Sequence, residues 1–186
     1  MSRSDITGFT EKDLSGEELR REWSLRYYRI AGVPERHWRF LRFGDLVGVL
    51  SDHAISSFRL EGRKWIAPAK TDGIRMVGGL FVFGPHDIGK TSLACLAMLA
   101  LCSYLQEHPD PIFLHCGTYI ASQRRSDGLG QRLFDHALSA SVMILDDIGS
   151  ESRTPFTMEQ LNNLLDGRLG CGYPNIFTSN FSPREL

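Results

Sequence analysis

The chain lacks an excess of charge of either sign. Its 21 lysines and arginines nearly balance 22 aspartates and glutamates, leaving a formal net charge of −1. No global basic field draws in nucleic acid, so any such binding has to rest on a local patch. Cysteine is scarce as well. Cys95, Cys102, Cys116 and Cys171 include no C-x-x-C pair, which argues against a zinc module and for small buried thiols, Cys95 and Cys102 within one apolar helix. Long hydrophobic runs are missing: the longest, Leu93 to Leu101, is about half a membrane span. The opening residues, Met1 to Lys12, are polar and unlike a signal peptide. There is no internal repeat and no low-complexity segment. These absences predict a soluble chain in a reducing cytoplasm, with no membrane partner. With 186 residues, 42% hydrophobic and 23% charged, it suits one domain and a small appendage.

What is present centres on Gly84-Pro85-His86-Asp87-Ile88-Gly89-Lys90-Thr91. This reads G-x-x-x-x-G-K-T, the Walker A phosphate loop. The apolar run Gly79 to Phe83 before it suits a buried parallel strand. Ser92 to Leu101 after it is rich in helix formers. The loop therefore lies where its chemistry requires, between a strand and a helix N-terminus. Glycines let backbone N–H groups approach phosphate oxygens, and the helix end adds its dipole and free donors. Lys90 is expected to bridge the β- and γ-phosphates of ATP, and the Thr91 hydroxyl to ligate Mg²⁺. The binding set closes with Ser92. Asp87 stands where the common form of this loop has a small residue. Aspartate tolerates a left-handed backbone, but its charge is unfavourable beside phosphates unless it points away.

Val142-Met143-Ile144-Leu145 runs straight into Asp146-Asp147, a Walker B pattern. A buried parallel strand delivers carboxylates at its C-terminal edge, where open α/β sheets bind ligands. Asp146 is the expected Mg²⁺ ligand. Asp147 is expected to polarise the attacking water, in a place where glutamate is commoner. Asn175 to Thr178 reads as a further strand, tipped by Ser179-Asn180. A polar residue there can hold the water between Asp147 and the γ-phosphate, a sensor-1 role for which Asn180 is the better candidate and Ser179 the reserve.

Elsewhere, Ser15-Gly16-Glu17-Glu18 fits a capping box. It opens a helix from Gly16 to Ala31, with Leu19, Trp23, Tyr27 and Ile30 at helical spacing, ended by Gly32 and Pro34. The stretch Ala31 to Phe43 mixes aromatics with Arg36, Arg39 and Arg42. It reads either as a cover for an adenine base with arginines reaching phosphates, or as an irregular apron over the sheet edge. Leu46 to Phe58 reads as a helix, and Arg59, Arg63, Lys64 and Lys70 as a basic connector. His108 to Pro111 is a breaker, and Ile112 to Cys116 a strand. Helices are predicted at Thr118 to Arg125 and Gln131 to Leu138. Another carries Met158, Leu161, Leu164, Leu165 and Leu169 inward and is closed by Gly170.

Three segments carry a family resemblance. They are Gly84 to Thr91, then Ile144-Leu145-Asp146-Asp147-Ile148-Gly149-Ser150-Glu151, then Phe177 to Leu186. Together they resemble the DnaC/DnaI-type helicase loaders of the AAA+ ATPases, the group that includes the IstB transposition helpers. The stretch Ala31 to Arg36 also looks like this family's lead-in to the core. The resemblance implies an α/β P-loop fold: a parallel sheet of strand order 5-1-4-3-2 with flanking helices. Here residues 1–34 would form a helical extension and 35–186 the ATPase core. It implies ATP and Mg²⁺ bound between self-associating subunits. It also implies a role in delivering a DnaB-type ring helicase to single-stranded DNA. The family continues past sensor 1 with a fifth strand and an arginine finger. The core is thus expected to be C-terminally incomplete and a weak ATPase, since such a finger is worth about 10³–10⁵ in rate. Should it turn over, Arg153 and Arg168 are the arginines to test. Single-stranded DNA contact would use Arg124, Arg125 and Arg132. The competing readings are an IstB-like transposition helper and a nucleotide-binding adaptor with little or no hydrolysis.

Overall fold

A computed structural model describes residues 16–41, 79–104, 108–182 and 184–186. The Ser15 cap, the 46–58 helix, the basic connector and the last two residues of the aromatic–arginine stretch lie outside them. Helix α1 spans Gly16–Ala31, and a short 3₁₀ turn covers Glu35–His37. Strand β1, Gly79–Phe83, leads into α2, Lys90–Tyr104. Then follow β2 (Pro111–His115), α3 (Cys116–Gln123), α4 (Leu129–Ser139), β3 (Val142–Ile148), α5 (Pro155–Cys171) and β4 (Asn175–Ser179).

The four strands form one parallel sheet in the order β1-β4-β3-β2. That is the implied order without its fifth strand, with β1 at one edge of the described sheet. Because side chains alternate along a strand, β3 feeds two cores at once. Val142 and Ile144 join Ile176, α1 and α2 on one face. Met143 and Leu145 join α3, α4 and α5 on the other. Both faces are covered, which is why β3 reads as a continuous apolar run.

Two helices keep part of the inward face their apolar spacing predicts, with Trp23 and Tyr27 packed in α1 and Leu161 and Leu164 in α5, but turn it to one side. In α1 the buried residues are Ser24, Tyr27, Tyr28 and Ala31, while Ile30 is exposed. In α5 they are Thr157, Leu161, Leu164 and Arg168; Met158 and Leu169 face out. Helix α5 ends not at Gly170 but at Gly172, whose left-handed φ of 68° lets its N–H bond Leu169 O. A Thr154 side chain caps its other end by accepting from Thr157 N–H.

Arg168 explains the rotation of α5. It is fully buried, and its guanidinium donates to the carbonyl oxygens of Ala137, Leu138, Ala140 and Pro174 and to Asn175 Oδ1. Those acceptors lie at the end of α4 and the starts of β3 and β4, so one side chain ties three elements together. Burial lowers its pKa to about 10. Its enclosure removes it as an arginine acting on a neighbouring subunit, contrary to the sequence expectation. Arg153 is exposed and donates to Glu185 O at 2.8 Å.

Candidate nucleotide site

The C-terminal ends of β1, β3 and β4 and the start of α2 meet around a cleft of about 460 Å³. The loop between β1 and α2 is bent by three positive φ values: Gly84 at 147°, Asp87 at 62° and Gly89 at 84°. Such turns aim successive N–H groups into one concavity. The φ of Gly84 is one that glycine adopts most readily, while the contact a Cβ would make, 2.8 Å from Ile88 Cδ1, is with the movable end of a side chain. Asp87 takes the left-handed conformation its residue type allows and is exposed.

Lys90 is buried inside its own loop. Its Nζ donates to Gly84 O at 3.0 Å, Pro85 O at 2.6 Å and Asn180 Oδ1 at 2.9 Å. Burial lowers its pKa, and the charges of Asp147, Asp146 and Asp87 work against that. The next residue, Thr91, donates its hydroxyl to Asp146 Oδ1 at 2.7 Å. Phosphate loop and Walker B strand are therefore in direct contact.

Two adjacent residues of a regular strand point to opposite faces, yet Asp146 and Asp147 both line the cleft. A bulge makes this possible. Leu145 pairs with Phe177 and Ile148 with Ser179, so two aspartates stand opposite the single residue Thr178. Asp147 adopts φ 62° and Gly149 φ 91°. Thr178 stitches the bulge: its hydroxyl donates to Asp146 Oδ1 at 2.7 Å and accepts from Asp147 N–H at 2.8 Å. Sequence reading missed Thr178, although its place at the tip of a strand, two residues before Asn180, was a usable signal.

The two sensor candidates separate cleanly. Asn180 lines the cleft, donating Nδ2–H to Asp147 Oδ1 at 2.8 Å while its Oδ1 accepts from Lys90. Ser179 is fully buried and donates to Ile148 O at 2.6 Å. That bond joins the strands and leaves Ser179 no access to the cleft.

Two further features carried no motif. His115, at the tip of β2, has Nε2 3.8 Å from Asp147 Oδ2, and its Nδ1 is buried without a hydrogen-bond partner. The opposite wall comes from Arg36, His37, Arg39 and Phe40. The aromatic–arginine stretch thus reaches the cleft rather than only covering a sheet edge. Arg124, Arg125 and Arg132, the arginines expected to contact DNA, lie elsewhere, and all three are exposed. Arg125 pairs with Asp127 at 2.6 Å, Arg132 donates to Asp127 O at 3.3 Å, and Arg124 stacks over Phe156 at 5.3 Å.

No protein-family model matches the chain. The replicative helicase loader DnaI of Bacillus subtilis (strain 168) is 28% identical over 112 residues, covering 58% of this chain and 35% of the relative. The match thus spans about a third of that curated relative's length. A crystal structure of DnaI aligns with a TM-score of 0.65 at 21% identity, covering 81% of this chain and 77% of that one. AMPPCP-bound DnaA from Aquifex aeolicus aligns with a TM-score of 0.59 at 13% identity, covering 74% and 42%. Among the described residues, no helix is long and apolar enough to cross a membrane. In its motifs, its strand order and its fold, the chain is similar to the DnaI helicase loader, and its four-stranded parallel sheet has the P-loop fold of its AAA+ neighbours.

Proposed function

We propose that the chain binds Mg²⁺-ATP in this cleft, hydrolyses it slowly, and uses the nucleotide state to help place a ring helicase on single-stranded DNA. The observation that carries the nucleotide reading is the joined network of Lys90, Asn180, Asp147, Asp146, Thr91 and Thr178 at the mouth of the phosphate loop. An AMPPCP-bound neighbour of the same fold supports it.

In this reading the triphosphate lies along Gly84 to Ser92. Lys90 exchanges its carbonyl partners for phosphate oxygens, a stronger charge-assisted pairing. The Thr91 hydroxyl and the Asp146 carboxylate, already 2.7 Å apart, form the hard oxygen donor set that suits Mg²⁺ and would hold it. When bound, that ion neutralises charge on the phosphate oxygens. Asp147 orients and polarises the attacking water, and Asn180 holds that water between the carboxylate and the γ-phosphate. Arg36 and Arg39 add positive charge to the wall facing the loop, and Phe40, buried in the core with Arg39 stacked over its ring at 4.7 Å, backs that wall.

The helicase and DNA roles rest on the likeness to DnaI. DNA contact would draw on Arg124, Arg125 and Arg132, of which two already hold Asp127. The decisive experiment measures Mg²⁺-ATP binding and hydrolysis, with and without single-stranded DNA, on this chain and on Lys90→Ala. Binding lost in the variant, with slow turnover in the parent, is expected. Binding of equal strength in both would overturn the site. Binding without turnover would favour a nucleotide-binding adaptor, a reading to which the short Asp147 carboxylate lends weight.

A further inference from the structure

The wall from Val33 to Phe40 is the part of the cleft that the phosphate motifs do not account for. Val33 and Phe40 pack against the phosphate-loop helix, and the side-chain hydrogen bonding between wall and helix runs through one residue. His37 is buried between Arg36 and Ser92. Arg36 Nε donates to His37 Nε2 at 3.0 Å, and His37 Nδ1 lies 3.0 Å from Ser92 Oγ. A ring nitrogen that accepts carries no proton in the neutral imidazole, so the proton is on Nδ1 and His37 donates to Ser92. Burial, with Arg36 beside it, holds the ring's pKa below its ordinary value and keeps this neutral tautomer. Among the described residues, it is the sole side-chain hydrogen bond between residues 33–40 and α2.

On its far side the same stretch is tied to α1. Val33 N donates to Tyr28 O at 2.9 Å, and the Tyr28 hydroxyl donates to Phe40 O at 2.6 Å. Trp38 Nε1 donates to Val33 O at 2.8 Å, and Arg29 stacks over the Trp38 ring at 5.5 Å. Tyr27, Tyr28, Ala31, Val33 and Phe40 share one core with the apolar residues of α2. A continuous path of packed and bonded groups therefore runs from α1 through residues 33–40 to the first turn of α2.

We propose that His37 is a positioning residue that couples nucleotide occupancy to the docking of α1, by clamping residues 33–40 onto Ser92 so that Arg36, Arg39 and Phe40 face the cleft. This rests on the nucleotide-binding reading above. A ligand held by both the phosphate loop and this wall stabilises their contact, and α1 is fixed to the wall. By reciprocity, whatever loosens the wall weakens the ligand by the factor through which the ligand tightens α1.

The test combines calorimetric Mg²⁺-ATP affinity with amide hydrogen exchange of α1, with and without Mg²⁺-ATP. It uses the full chain, His37→Phe, His37→Asn and Ser92→Ala. His37→Phe keeps the ring and loses both hydrogen bonds; His37→Asn puts an amide N–H near the place of Nδ1. Saturating nucleotide is expected to slow α1 exchange about tenfold in the parent. His37→Phe is expected to weaken affinity about tenfold, the scale of one lost buried hydrogen bond, and to abolish the nucleotide-dependent protection. His37→Asn should restore most of both. Ser92→Ala should reproduce His37→Phe, and the two together should cost no more than either alone. Parent-like affinity and protection in His37→Phe would overturn the inference. So would equal losses in His37→Asn, since packing alone would then explain the site. Should the parent itself fail to bind nucleotide, the site reading fails first and takes this inference with it. Comparison of the parent with Lys90→Ala separates the two failures.

Discussion

Two buried cations sit at opposite ends of the sheet, and both are surrounded by carbonyl-type oxygens rather than by a directly paired carboxylate. Lys90 donates to Gly84 O, Pro85 O and Asn180 Oδ1. Arg168 donates to four backbone carbonyls and Asn175 Oδ1. The chemistry is alike and the access differs. Lys90 opens onto a cleft of about 460 Å³ and is held by a loop with three left-handed turns. Arg168 is closed on every side. A carbonyl cage holds a cation without a directly bonded carboxylate, and at Lys90 the nearby charges of Asp147, Asp146 and Asp87 favour the charged form. Where an anion can reach that charge the cage is a waiting site, and where none can it is a strut.

The sharpest break in this comparison is Arg168→Leu. It strands four acceptors in the interior, Pro174 O keeping the Met143 N–H, and is expected to destabilise the fold by roughly 3–5 kcal/mol, read by urea denaturation. Arg168→Lys should recover part of this, since an ammonium offers three donors to five acceptors. Lys90→Ala should do the reverse. Mg²⁺-ATP affinity falls at least about a hundredfold while stability moves by under about 1 kcal/mol, because the freed carbonyls open toward water. Asp147→Asn should leave affinity within about threefold and abolish hydrolysis, losses of charge at this position being felt in the chemical step. If Mg²⁺-dependent binding disappears instead, Asp146 and Asp147 exchange roles. The smallest effect concerns His37, which is faced by Arg36, Arg39 and Asp146. Its folded pKa lies below the ordinary value, so its contribution is intact above about pH 6.5. Below that, the unfolded chain takes up the proton first and stability falls. His37→Asn should flatten this acid-side decline in a series of melts across pH.

The sequence disclosed those features that repeat a local rule. The phosphate loop, the double aspartate and the strand tip each declare themselves within about ten residues, and the parallel order follows from helices between strands. What stayed hidden depends on register and on long-range partners. Leu169 looks like a core residue of α5 and Arg168 like a surface one. Only the carbonyls of Ala137, Ala140 and Pro174, distant in sequence or across a turn, reverse that order. Thr178 and His115 enter the site because β4 and β2 present their tips beside β3. The inward face of α1 is chosen by Tyr28, whose hydroxyl finds Phe40 O twelve residues later.

The bulge at Asp147 bears on why the chain carries aspartate where glutamate is commoner. At φ 62°, asparagine, aspartate and glycine are at ease and longer side chains are not. The backbone turn that brings the second carboxylate into the cleft thus also narrows which acid can stand there. Stability and chemistry pull apart at this one position. A library of position 147 sorted for heat resistance alone would drift toward asparagine and glycine and lose the carboxylate proposed to polarise water. The same library sorted for turnover would hold to aspartate, and a glutamate would return only together with a second change that relaxes the turn.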